Sequence, residues 1–334
     1  MLLKTFIYAE VEKIIKPTLF TTVNKNLYAF IAFISMPTLA LIGGHFFFEA
    51  FYWNNYPLFD TLASIPLFAG LITMGIGFFL KNEKRHFVIS LGWIIFAIYW
   101  ATQPEFLYYK EDGDIVNAIF CLVGIYFLWY IAYHEFLCYK RKEEVQSLNF
   151  LAGATFISGF FYFLIEKIPF LAIILIKIVA GQTVWLMQAM GYSVTTGSAH
   201  IGETVYVPVF FNGNHSVELI LACTGLQSMM VFIGVILALK GVEHKRKLKA
   251  FMVTVPVIYV LNIVRNAGVI YGVEVLGYSF YVMHNVIGKI GSLLALIALA
   301  YFAFEILPEL YETIASLFSL PKRRGPIEKL FGIK

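Results

Sequence analysis

Long apolar runs recur along this chain, each about the length of a bilayer crossing and each ended by charged or turn-forming residues. Eight runs predict spans at 27–47, 57–80, 87–103, 115–138, 149–166, 222–240, 248–271 and 281–305. They lack the strict alternation of barrel strands, and lipid admits only helices or closed barrels. The expected fold class is an all-α polytopic membrane protein. One stretch breaks the pattern. Residues 192–217 mix β-branched and aromatic residues with Gly and Pro, and Asn212-Gly213-Asn214 is a turn signal. A small extended or β segment is expected just before the sixth span.

The basic residues orient the spans. Lys81, Lys84 and Arg85 follow span two, and Lys140, Arg141 and Lys142 follow span four. Lys240, Lys245, Arg246, Lys247 and Lys249 follow span six, and Lys322, Arg323 and Arg324 follow span eight. The alternate loops are poor in Lys and Arg, and 191–222 and 266–280 have none. By the positive-inside rule both termini are cytoplasmic and residues 191–222 are external. A ninth apolar stretch, 168–190, would turn the 240–249 cluster outward if it crossed. It is therefore read as an external interfacial or re-entrant helix, or as the continuation of a long fifth span bent at Pro169. Glu166 and Lys167 suit an interface better than a bilayer centre.

Residues 1–26 read as a cytoplasmic interfacial helix rather than a cleavable signal. Leu3, Phe6, Ile7, Val11, Ile14 and Ile15 share one face. Four regions result: that helix, a four-helix membrane region over 27–148, a membrane core over 149–306, and a basic cytoplasmic tail over 307–334.

Composition agrees with the pattern. Of the 334 residues 60% are hydrophobic and 14% charged, against about 25% charged in soluble domains. The net charge of +4 sits in short loops, so it reports orientation and not nucleic-acid binding. The cysteines are Cys121, Cys138 and Cys223, with no CxxC pair, so neither a zinc knuckle nor a disulfide scaffold is indicated. No metal or other cofactor is expected.

Three polar residues fall at matched depth. The helical rise puts Cys223 roughly 26 Å from Lys240 and Arg265 roughly 24 Å from Lys249. His284 lies roughly 31 Å from Glu305, a distance that tilt shortens. With a hydrocarbon core about 30 Å thick, all three belong at the outer boundary. A cysteine opening a helix gains thiolate character. Asn262, Arg265 and Asn266 form a polar stripe at i, i+3 and i+4. His284 continues into Gly288 and Ser292, small residues that invite close packing. A thiol, a permanent cation and an imidazole at one boundary are the equipment of cysteine acyl transfer. Each also has a plainer reading: a packing cysteine, a headgroup anchor and an interfacial histidine.

Ala222-Cys223-Thr224-Gly225-Leu226-Gln227, then Asn262 to Asn266, then His284 with Gly288 and Ser292 behind it, resemble the archaeosortase/exosortase family. The resemblance covers about 150–305, and the Cys-Thr-Gly wording is similar to the archaeal branch. It implies a membrane cysteine transpeptidase or protease. Its partners would be proteins whose C-terminal sorting signal is a short motif, a transmembrane helix and a basic tail. It further implies transfer of the cleaved protein to a membrane lipid, and Cys223, Arg265 and His284 as catalytic residues. Within that scheme Cys223 is the nucleophile, His284 the acid and base, and Arg265 the oxyanion partner. Thr224, Gln227, Asn262, Asn266 and Ser292 would orient these groups or bind substrate. A lipid amine or water would resolve the thioester. Two other classes stay open: a transporter or channel, and a non-catalytic assembly protein using the trio as polar glue. A metal site from Cys223, His284, His200 and His215 has no ligand spacing in its favour.

Overall fold

The computed structural model describes residues 17–110, 115–202 and 204–332. Helices dominate, as expected, and the chain divides into two compact units, Met1–Leu148 with Ala315–Lys334, and Asn149–Ile314. Most of the expected N-terminal interfacial helix, residues 1–16, lies outside the described residues.

The first unit holds α1 (Pro17–Phe51), α2 (Tyr56–Phe79), α3 (Arg85–Ala101), α4 (Gln103–Lys110) and α5 (Ile115–Arg141). Asn55 caps α2, its side chain accepting from the Leu58 N–H at 3.1 Å. Gly44 sets the approach of α1 to the end of α3. A Cβ there would stand 2.1 Å from the Ala101 carbonyl oxygen, so only glycine allows the two backbones to touch.

The C-terminal residues close this unit. They form α12 (Pro326–Leu330), which packs on α1, with the turn Leu320–Arg323 ahead of it. Glu328 is buried. It accepts from the Tyr130 hydroxyl at 2.9 Å and the Tyr133 hydroxyl at 3.2 Å, and lies 3.2 Å from His134 Nε2. Arg141 donates to the Arg323 and Arg324 carbonyls at 2.8 and 3.1 Å, and Arg323 pairs with Glu143. The basic tail is thus folded onto α5. Burial alone would push the Glu328 carboxyl up, but His134, a backbone N–H and Tyr130 outweigh it and bring it down to about 2. A folded value below the unfolded one stabilises the fold above the unfolded pKa, and that stabilisation drains away as pH falls toward about 2. Thermal unfolding of detergent-solubilised Glu328→Gln is expected to show a lower midpoint at pH 7. It should also show a shallower fall than wild type between pH 5 and pH 3. Identical curves would mean that the carboxylate contributes nothing.

The second unit begins within α6 (Gln146–Lys167) and continues through α7 (Pro169–Ala189) into a sheet of β1 (Val194–Thr196), β2 (Tyr206–Phe211) and β3 (Asn214–Ile220). The sheet is antiparallel in the order β1-β2-β3, with Val207 opposite Leu219 and Val209 opposite Val217. Asn212 and Gly213, both at positive φ, make the predicted hairpin turn. One face of the sheet buries Val207, Val209, Val217 and Leu219 against Ile176, Ala180 and Met187 of α7. After the sheet come a 3₁₀ turn (Leu221–Thr224), α8 (Leu226–Ala238), α9 (His244–Glu274), a π-turn (Val282–Gly288), α10 (Lys289–Ile306) and α11 (Pro308–Leu317).

Contacts at the ends fix the directions of these helices. Arg246, at the start of α9, pairs bidentately with Glu309 at 2.6 and 2.9 Å and donates to the Ile306 carbonyl that ends α10. Lys247 binds the Leu237 and Leu239 carbonyls at the end of α8. Hence α8 and α10 both run antiparallel to α9.

Eight helices among the described residues are long and apolar enough to cross a membrane, but they are not quite the eight expected. Pro169–Ala189 joins them, and the sixth expected span, 222–240, shrinks to the 13 residues of α8. The reason is local. The 3₁₀ turn and left-handed Gly225 occupy its first four positions, and Leu239 is already extended.

Candidate active site

The Cys223 turn is built from its own sequence. Thr224 Oγ1 donates to the Leu221 carbonyl at 2.7 Å and accepts from the Leu226 N–H at 3.3 Å. Gly225 then reverses into α8 at φ +73°, where a side chain is strained; its Cβ would also lie 3.1 Å from the Asn262 side chain. Cys223 is therefore not in the first turn of an α-helix, as the sequence suggested, but one turn ahead of it. What α9 grips is its carbonyl: Asn262 and Asn266 both donate their amide N–H to Cys223 O, Asn266 at 2.8 Å. These two residues flank Arg265. Cys223, Thr224 and Asn266 are buried.

Arg265 lies close enough for its charge to act on both the Cys223 thiol and the His284 imidazole. Its Nε is buried without a hydrogen-bond partner among the described residues. Gly288 faces it so closely that a Cβ there would stand 3.1 Å from Nε. An unsatisfied guanidinium N–H is costly in an apolar setting and is available to an incoming oxygen.

His284 sits inside the π-turn, its ring stacked on Phe280 at 5.0 Å between centroids and 12° between planes. Its imidazole makes no hydrogen bond among the described residues. A cavity of about 290 Å³ lies among α8, α9 and the π-turn with α10. Gly225, Ser228, Asn262, Arg265, Gly288 and Ser292 line it beside aliphatic side chains. His284 does not line it; Met283 does. The expected face of His284, Gly288 and Ser292 is out of phase because a π-turn adds a residue to the helical period. Gln227 is exposed and also outside the cavity lining, whereas Ser228 lines it. Sequence reading missed Ser228 and Met283. Ser228 was legible as the residue one turn after Gly225, but Met283 was not, because nothing in the sequence marks the π-turn. The structure therefore joins Cys223 to Asn262 and Asn266 directly, sets Arg265 between those two on α9, and leaves His284 on the Phe280 stack. His200 instead bridges to Tyr206, and His215 lies 3.6 Å from Glu218. Among the described residues, the four residues of the metal alternative are not gathered at ligand distance.

Fold and site define a multi-pass helical membrane protein with a buried thiol, a guanidinium and two amides drawn together at one end of a helix bundle. Residues 87–301 match the family model described as Transmembrane exosortase. The chain belongs to that family, which makes its class a membrane-embedded sorting transpeptidase. Two relatives are similar over most of their length. Archaeosortase A of Haloferax volcanii is 27% identical over 269 residues, covering 70% of this chain and 84% of the relative. Archaeosortase A of Natronomonas pharaonis is 23% identical over 256 residues, covering 69% and 78%. No solved structure matches the chain.

Proposed function

We propose that this protein is a cysteine transpeptidase that cleaves C-terminal sorting signals at the external membrane face, with residues 149–306 as its catalytic core. The observation that carries the reading is the double grip of Asn262 and Asn266 on the Cys223 carbonyl. It ties the thiol to the helix that presents Arg265, so nucleophile and cation keep one geometry. The Cys223 thiolate attacks the scissile carbonyl, and the oxyanion takes the free Arg265 Nε–H. His284 accepts the thiol proton and returns it to the leaving amine, which departs with the transmembrane tail. A thioester remains. A lipid amine then attacks it, giving an amide and restoring the thiol; water in that place gives hydrolysis.

Support for the external side comes from helix directions. Cys223 meets α9 at Asn262, while Leu237 and Leu239 meet it at Lys247. The Cys223 turn and α8 together thus match the rise of α9 between those levels, roughly 22 Å. Short as it is, α8 spans the depth that α9 spans. That leaves α7 as the helix that does not cross, bent from α6 at Ile168 and packed on the sheet. With the basic cluster at 240–249 inside, the sheet and Cys223 are outside and both termini inside.

Thiol labelling tests the reading. A small electrophile is expected to modify Cys223 far faster than the buried Cys121 and Cys138, and to lose that preference in Arg265→Ala. Equal, slow labelling of all three would sink the cysteine mechanism. For the orientation, a membrane-impermeant maleimide should label Ser198→Cys in intact cells; labelling only after lysis would reverse the topology.

A further inference from the structure

We propose that His45, Glu49 and Glu105 form a binding site for one divalent transition-metal ion, zinc or manganese. The three residues offer one imidazole nitrogen and two carboxylates whose ligand atoms all lie within 4.8 Å of one another. His45 and Glu49 are four apart on α1 and so share a helix face. Glu105 comes from α4. The Gly44–Ala101 backbone contact brings the two segments together, one residue before His45 and four before Glu105.

A simple ion pair does not use all of this arrangement. His45 Nδ1 and Glu105 Oε1 are 2.6 Å apart, which accounts for one carboxylate oxygen. The other, Glu105 Oε2, is buried and has no hydrogen-bond partner among the described residues. The only hydrogen bond to Glu49 among the described residues comes from Trp53 Nε1 at 3.5 Å, at the outer edge of bonding distance. Two carboxylates gathered without a Lys or Arg at hydrogen-bond distance among the described residues repel each other and favour a dication between them. On the neighbouring turns Phe48, Tyr52, Trp53, Phe59 and Tyr109 pack on one another. Imidazole with carboxylates suits zinc or manganese and argues against calcium or magnesium, which take oxygen ligands alone.

The test uses tag-free, full-length protein in detergent, stripped with chelator and desalted. Zinc is titrated against a chromophoric competitor, and cobalt is added separately for its visible ligand-field bands. Wild type is expected to take one equivalent of zinc with submicromolar affinity. His45→Ala and Glu105→Gln should weaken it by more than the roughly 100-fold that loss of an outer-shell partner can cost. The exposed Glu49→Gln, which leaves the α1–α4 contact intact, should weaken it as well and guards against a folding artefact. The cobalt bands should appear in wild type and vanish in His45→Ala. Absence of a tight equivalent in wild type overturns the site, and so does undiminished binding by Glu49→Gln together with His45→Ala.

Discussion

Cys223→Ala is expected to abolish processing of a sorting-signal substrate while the protein inserts, purifies and unfolds as wild type does. In the proposed reaction no other group can form the thioester, so activity falls to background instead of by a graded factor. The substitution is also structurally mild. The Asn262 and Asn266 amides hold the Cys223 backbone carbonyl, which alanine keeps. Cys121→Ala and Cys138→Ala, buried in α5, should process substrate normally. The assay is conversion of a tagged reporter from its longer to its shorter form. Undiminished conversion by Cys223→Ala would remove the mechanism entirely.

Arg265→Lys carries the second large effect. A lysine keeps the charge and can still reach headgroups, so a mere anchor survives the exchange. The oxyanion role does not, because the free Nε–H is set by a planar fork against Gly288, and a mobile ammonium cannot reproduce it. Loss of one preorganised donor costs about a hundred- to a thousandfold in rate. The expected signature is a fall of that size in kcat with unchanged Cys223 position. His284→Ala should be impaired too. Near wild-type turnover by Arg265→Lys would reduce the site to a cysteine and a histidine.

The parts of this protein legible in the sequence are those set by composition over many residues or by short-range chemistry. Apolar runs gave the helices, Asn212-Gly213 gave the hairpin, and the i, i+3, i+4 stripe of Asn262, Arg265 and Asn266 marked the helix that meets Cys223. The misread parts depend on one or two dihedrals or on distant partners. Left-handed Gly225 shortens α8, a change of a single φ that no hydropathy window senses. The π-turn at Val282–Gly288 moves His284 off the cavity face, and π geometry has no periodic sequence sign. The burial of Glu328 has no local sequence sign, because its partners Tyr130, Tyr133 and His134 lie in a helix far upstream. His45 and Glu49 share a visible helical spacing, but the sequence cannot tell that Gly44 will bring Glu105 to them.

The Glu328 closure bears on the order in which the chain is assembled. Ribosomes add roughly 5–20 residues per second, and domains tend to fold as they emerge. The first unit cannot finish that way. After α5 is made, the whole second unit must be synthesised before Glu328 exists, an interval of roughly 10–40 s at that pace. Throughout it, Tyr130, Tyr133 and His134 wait inside α5 without their carboxylate. The helices inserted first are thus the last to be locked, and a chain truncated before Pro326 should leave them open to membrane quality-control proteases even though every spanning helix is present.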